Sequence, residues 1–284
     1  MSDETVSRLI QSITARLSDA GIEDAGIDAR LLLRSAFGWS AAEQLGNLLD
    51  APPAEHLDQL EEMVLRRATR EPLQYITGST EFFRRQFSVN ENVLIPRPET
   101  EQLVVQTMAF IRERKIENPQ IADICTGSGA IAISLALEMP AAEVHATDIS
   151  SGALTIAQQN ADDLGAELDM YEGDLLEPLS GQFDVIVSNP PYILAGAMPS
   201  LQAEVAREPS LALDGGNDGL DVIRPLFVGI LAMLKPTASA AYIEIDPPIE
   251  DAVMQLALET FPQAGISLLT DLAGLTRCVS IEHA

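Results

Sequence analysis

A doubly wound, mainly parallel α/β sheet preceded by a small all-helical domain is the fold the sequence predicts. Three observations carry this. From about residue 102 short apolar runs alternate with helical periods, the pattern of repeated βα units. A glycine-bearing stretch, Cys125, Thr126, Gly127, Ser128 and Gly129, follows the first of those runs and opens a helix. Residues 1–78 carry only helical periodicity.

Length and composition bound the reading. A chain of 284 residues holds one large α/β domain and a smaller one, and 46% hydrophobic content is enough to fill both cores. No window approaches 18 uninterrupted apolar residues, the length a membrane helix requires, and the acidic opening Met1-Ser2-Asp3-Glu4 is unlike a secretory leader. The two cysteines, Cys125 and Cys278, lie in unlike contexts, so a reduced, cytoplasmic setting is expected. The formal charge of −26, with Lys115 and Lys235 the only lysines, repels a phosphate backbone and disfavours nucleic acid as a partner. A monomer is expected.

In the helical region, Val6, Leu9, Ile10, Ile13 and Leu17 share one face. Ala29, Leu31, Leu32, Leu33 and Ala36 form a second helix, Ser40 leads into a third, and Pro52-Pro53 precede a fourth at about 54–69. No titratable cluster stands out here, and docking or orientation is the expected role. Residues 80–89 mix aromatic and β-branched side chains and predict a hairpin. Next comes Ile95-Pro96-Arg97-Pro98-Glu99-Thr100-Glu101. Pro98 suits a first helical turn, and the acids suit its positive end. Between two prolines, Arg97 is held in a fixed frame and is a candidate ligand-facing residue.

Strands are then predicted at 120–124, 143–147, 168–172, 183–187, 240–245, 265–270 and 277–282. Helices are predicted at 128–138, 150–164, 220–234 and 250–259, with a long loop at 193–217. Two features at strand ends carry the chemistry. Gly127 and Gly129 let the backbone turn and approach a ligand. Asp148, at the next strand's end and 21 residues beyond Gly127, has the spacing at which a carboxylate reaches ribose hydroxyls. Together they point to an adenosine-containing cofactor. Asp123 at the loop's start would repel a pyrophosphate and attract the ammonium of S-adenosylmethionine, which favours a methyl donor over NAD. Asp174 and Leu175 fall where they could face the adenine.

The second feature is Ser188-Asn189-Pro190-Pro191-Tyr192. Paired prolines stop the strand, and the residue before a proline is held extended. The resulting corner offers an amide, free carbonyls and an aromatic face at the edge where open α/β sheets bind ligands. That set suits a planar NH2, either a carboxamide or an exocyclic base amine.

Residues 123–130, Asp148 and Asn189 to Tyr192 together resemble class I S-adenosylmethionine-dependent methyltransferases acting on planar nitrogens. The run from Pro72 to Gly78, the Pro96-Arg97-Pro98-Glu99 segment, Glu208-Pro209 with Ala212 to Gly216, and Asp271 to Gly274 with Arg277 narrow this further. They resemble the release factor glutamine methyltransferases. A related family that modifies a ribosomal protein usually reads Pro-Arg-Ser-Pro at the second of these places. The resemblance implies a helical substrate-docking domain at 1–78, a β-hairpin linker at 79–96 and a seven-stranded methyltransferase domain at 97–284. It implies S-adenosyl-L-methionine as methyl donor, S-adenosyl-L-homocysteine as product, and the glutamine of a Gly-Gly-Gln motif in peptide chain release factors as acceptor. By position it places the cofactor on Cys125, Thr126, Gly127, Ser128, Gly129, Asp148, Leu175 and Asn189. The substrate falls on Asn189, Pro190, Pro191, Tyr192 and Arg97, with Asn189, Pro190 and Tyr192 catalytic; no metal is implied. The alternative is an N6-adenine nucleic-acid methyltransferase, which needs a basic track. Two departures from the family stand out: Cys125 replaces a glycine and is read as packing, and Pro247-Pro248 replace a Gly-Gln-rich turn.

Overall fold

The computed structural model describes residues 5–284, so the acidic opening at 1–4 lies outside the described residues. The chain divides into two units: residues up to Ser79 with Gln202–Arg207, and Thr80–Leu201 with Glu208–Ala284.

The first unit is helical, as its periodicity predicts. It contains α1 (Val6–Asp19), α2 (Ala25–Phe37), α3 (Ala41–Gly46), α4 (Leu57–Ala68) and α5 (Leu73–Thr77). Thr5 caps α1, and a reciprocal Ser40–Glu43 capping box starts α3. Val6, Ile13, Leu17, Leu32, Leu33 and Val64 are among the buried residues of one core. A buried cation organises this unit. The Arg67 guanidinium donates to Asp28 at 2.7 Å and to the Glu71 carbonyl at 3.0 Å, and pairs with Glu204 at 2.9 Å. Glu204 also pairs with Arg70 at 2.7 Å. These bonds attach Gln202–Arg207 to the helices, although the segment lies far along the chain. Arg67→Ala strands the Asp28 carboxylate in the core and is expected to destabilise this unit by about 3–5 kcal/mol, read as an early first transition on urea denaturation.

The second unit holds a seven-stranded sheet in the order β5-β4-β3-β6-β7-β9-β8. Its strands are β3 (Gln120–Ile124), β4 (Glu143–Asp148), β5 (Asp169–Glu172), β6 (Val185–Ser188), β7 (Ser239–Glu244), β8 (Gly265–Thr270) and β9 (Thr276–His283). The sheet is parallel from β5 to β7, and β9 runs antiparallel to both β7 and β8. Strands β6 and β7 are buried along their whole length, which explains their unbroken apolar runs. The helices α6 (Glu101–Arg114), α7 (Ala130–Glu138) and α8 (Ser151–Leu164) belong with one face, and α9 (Ile223–Met233) and α10 (Glu250–Thr260) cover the other. A hairpin, β1 (Ser79–Phe82) and β2 (Arg85–Ser88), groups almost wholly with this unit, because Phe82 and Phe87 are buried in the same core as α6 and α7. Pro247 and Pro248 form a single 3-10 turn that leads straight into α10.

The strand order reverses between β3 and β6. Successive connections run one way to β4 and β5 and the other way to β6 and β7. Such a switch point opens a crevice at the carboxyl ends of the two central strands, where this fold class binds ligands.

Candidate active site

Both sequence features sit at that crevice. The glycine loop follows β3, the proline corner follows β6, and the register pairs Ile124 with Ser188. Ser188 Oγ donates to the Ile124 carbonyl at 2.7 Å, joining the two strand ends.

The loop is held open by left-handed backbone at Cys125 (φ 61°), Gly127 (φ 57°) and Gly129 (φ 80°). Its carboxylates fix it from both sides. Thr126 Oγ1 and the Ala132 N–H donate to Asp123 Oδ2 at 2.6 and 3.1 Å. The Gly127 and Ser150 N–H groups donate to the two Asp148 oxygens at 2.8 and 2.9 Å. Asp123 is fully buried and does not border the cleft. Its work is to brace the loop from below, and this corrects the expectation that it meets the cofactor's ammonium. Burial pushes its carboxyl up to about 7 against the pull of Thr126 and Ala132. Burial also raises Asp148 against its backbone donors. The Cys125 thiol is driven far up by burial and by Asp148 and Asp123, which fits packing rather than nucleophilic attack.

Cys125, Thr126, Gly127, Ser128, Asp148, Asp174, Leu175, Asn189 and Pro191 border one cleft. Val93, Leu94, Ile131 and Ile149 give it apolar walls. Gly129 lies just behind the lining and has no room for a side chain: a Cβ there would sit 2.8 Å from Ile133 Cδ1 and 3.2 Å from Ala157 Cβ. Gly129→Ala is therefore expected to strain the loop by ~1–2 kcal/mol and weaken S-adenosylmethionine binding about tenfold, measured by titration calorimetry.

At the corner, Asn189 Nδ2 donates to Thr100 Oγ1 at 3.3 Å, so its Oδ1 is the end of the amide left to accept. The Tyr192 hydroxyl donates to Glu244 Oε1 at 3.2 Å. Pro190 and Tyr192 stand outside the cleft lining: Pro190 is buried, and Tyr192 packs on the core beneath the sheet's edge. Arg97 also stands outside it and is ion-paired with Glu208. Glu208 additionally accepts the Ile95 N–H at 3.0 Å, so this pair fixes the 95–97 segment. Residues 193–195 pair with 213–216 through Ile193 N–H to Leu213 O at 2.9 Å and Gly215 N–H to Ile193 O at 2.8 Å. That ladder backs the corner. Two contributors carry no motif of their own in the sequence, Thr100 on the rim and Glu244 at the end of β7. Thr100 lies within the 95–101 segment, and Glu244 belongs to a buried strand, so neither carries a local signal of its role.

The cleft suits the methyl donor on its own geometry. It has a glycine floor that lets backbone approach, a carboxylate at a strand end for hydroxyls, and apolar walls for a flat base. A crevice of this kind at this switch point defines a class I S-adenosylmethionine-dependent methyltransferase. Solved structures carry the same fold. A Thermus thermophilus 16S rRNA N2 G1207 methyltransferase aligns at a TM-score of 0.54 with 18% identity, over 72% of this chain and 50% of its own. The hMettl16 catalytic domain aligns at a TM-score of 0.52 with 12% identity, over 80% of this chain and 82% of its own.

Sequence relatives narrow the class. Residues 8–78 match the PrmC N-terminal domain and 100–211 the methyltransferase small domain. The release factor glutamine methyltransferase of Moorella thermoacetica is 41% identical over 277 residues, covering 96% of this chain and 97% of its own. Those of Deinococcus radiodurans and Bacillus subtilis are 41% and 36% identical over 84% and 97% of this chain, and over 85% and 97% of their own. The chain belongs to the release factor glutamine methyltransferases.

Proposed function

We propose that this protein transfers a methyl group from S-adenosylmethionine to the side-chain amide nitrogen of the glutamine in the Gly-Gly-Gln motif of peptide chain release factors. The observation that carries this is the Asn189 amide, which borders the cleft and whose NH2 is taken by Thr100, leaving the oxygen to accept. An amide nitrogen is a poor nucleophile because its lone pair is delocalised into the carbonyl. The Asn189 oxygen and the Pro190 carbonyl accept the two N–H bonds of the incoming glutamine, which fixes its NH2 in line and raises electron density on nitrogen. When bound, S-adenosylmethionine supplies an electrophilic methyl on a positively charged sulfur. Alignment of this kind supplies about 7–11 kcal/mol in favourable cases, and acceptors facing a nitrogen that gains positive charge add to it. The amide proton leaves to water. Tyr192 supports the corner from the core side, anchored through Glu244. Arg97, paired with Glu208, shapes the approach at 95–97.

No helix among the described residues is long and apolar enough to cross a membrane. A cytoplasmic monomer fits this reading. Tryptic mass spectrometry of a release factor after incubation with the protein and methyl donor tests it. One added methyl on the Gly-Gly-Gln peptide supports the reading. An unmodified peptide, with methyl appearing instead on a DNA duplex offered in parallel, refutes it.

A further inference from the structure

We propose that Glu244 and Thr100 form a positioning pair that sets which end of the Asn189 carboxamide faces the substrate. The inference rests on the acceptor role of Asn189 given above and adds what enforces it. An amide side chain is nearly symmetric in outline, so its orientation is decided by whichever partner holds it. Here that partner is a hydroxyl, which accepts and donates equally well and therefore does not choose by itself.

The choice comes from one step deeper. Parallel pairing of β6 with β7 sets Ser188 beside Ile243, which brings the next residues, Asn189 and Glu244, to the same edge of the sheet. Glu244 is 4% exposed and Thr100 is 4% exposed. Among the groups around Glu244, Thr100 and Tyr192 favour its charged form. Glu244 Oε1 takes the Tyr192 hydroxyl, and Oε2 is buried with no hydrogen-bond partner, an acceptor in need of a donor. An ionised carboxylate accepts only. It draws the Thr100 proton toward itself, and Thr100 Oγ1 must then accept from Asn189 Nδ2, as it does at 3.3 Å. Asn189 Oδ1 is left for the substrate. Protonating Glu244 reverses the sense. The carboxyl donates to Thr100, Thr100 donates to Asn189 Oδ1, and the amide turns its NH2 toward an NH2 substrate, which it repels.

The surroundings let this carboxyl titrate within an accessible range. Burial pushes Glu244 up to about 7 and Glu99 adds to the rise, while Thr100, Tyr192 and Arg277 pull it down. Arg277 is largely committed to Asp246 and Asp271, at 3.0 Å each. From β9, Cys278 lies opposite Glu244, its own thiol driven up by burial and by that carboxylate. On α6, Glu101 is turned to the Phe83 N–H. The sign follows: methyl transfer is present above about pH 7 and lost as pH falls toward the ordinary glutamate range. Asp123 is also held at about 7, so a pH profile of the native protein alone does not separate the two carboxyls. Variants do.

The experiment compares the native protein with Glu244→Gln, Thr100→Val, Thr100→Ser and the Gln/Val double variant. Glu244→Gln and Thr100→Val are each expected to lower kcat about 10²-fold, the cost of a misaligned reactive group. S-adenosylmethionine affinity by calorimetry should hold, and the double variant should lose no more than either single one. Thr100→Ser, which keeps the hydroxyl, should retain most of kcat. At pH 8 Glu244→Gln should melt no lower than the native protein, because it relieves a buried charge. A readout independent of turnover is the Asn189 side-chain amide signal in 15N NMR, identified by its loss in Asn189→Ala. It should shift with a single inflection in the native protein and stay flat in Glu244→Gln. A native kcat in Glu244→Gln, a kcat loss matched by lost cofactor binding, or an Asn189 signal that titrates identically in the variant would each overturn the pair. A release factor left unmethylated by native protein whose Asn189 signal still titrates through Glu244 would sink the substrate assignment and leave the pair standing.

Discussion

Asn189→Ala is expected to reduce kcat for glutamine methylation by about 10²–10³, the range seen when one preorganised hydrogen-bonding group facing a developing charge is removed. The side chain donates to Thr100 at 3.3 Å, leaving its oxygen to accept, and Asn189 borders the cleft. Truncation removes that acceptor and leaves the backbone of the corner intact, because the neighbouring prolines and the 193–195 ladder fix it independently. The melting temperature should therefore change little. Cofactor affinity should fall by much less than kcat, since the loop, Asp148, Leu175 and the apolar walls line the cleft independently of this side chain. Stopped-flow or discontinuous methyl-transfer kinetics with release factor, set beside calorimetry for the cofactor, separates the two. Undiminished kcat in a folded, cofactor-binding variant removes Asn189 from the mechanism.

Gly215→Ala should damage the same corner from behind without touching any functional side chain. A Cβ at Gly215 would lie 2.7 Å from both the carbonyl carbon and the Cα of Tyr192, and 3.0 Å from the Cα of Gly219. All three are backbone atoms that rotamer changes do not move. Either the 213–216 segment retreats and breaks its bonds to Ile193, or Tyr192 is pushed away and carries the corner with it. Overpacking of this sort costs about 1–3 kcal/mol, which corresponds to a fall on the order of 2–10 °C in the melting temperature of the second unit. A displacement near 1 Å at the corner costs about 10²-fold in kcat. Calorimetric melting and turnover together test this. A Gly215→Ala protein with native melting and native turnover would mean the ladder has slack that its geometry does not show.

Much of this architecture is legible in the amino-acid sequence. The central strands β6 and β7 are readable because parallel strands buried on both faces must be apolar throughout, and the helices because their periods and caps are local. The loop and the corner announced themselves through glycine and proline, whose backbone restrictions are independent of context. Arg97 and Asp123 mark the limit of such reading. Each sits beside a functional motif, yet Arg97 is taken up by Glu208, over a hundred residues on in sequence. Asp123 is turned under the loop by Thr126 and Ala132. Where a side chain points is decided by such distant or three-dimensional partners. Thr100 and Glu244 were missed for the same reason, since their importance arises only when three separate segments converge on Asn189. The attachment of Gln202–Arg207 to the helical unit likewise depends on Arg67, a residue with no local tie to it.

Cys125 and Cys278 are the chain's two thiols, and both are held far from thiolate formation by burial. Maleimides and other electrophilic dyes attack the thiolate, so the native protein should be nearly silent toward them at neutral pH. A cysteine introduced at an exposed surface position would then be the one site that labels, and the chain can carry a single fluorophore or spin label without first having its own sulfur removed.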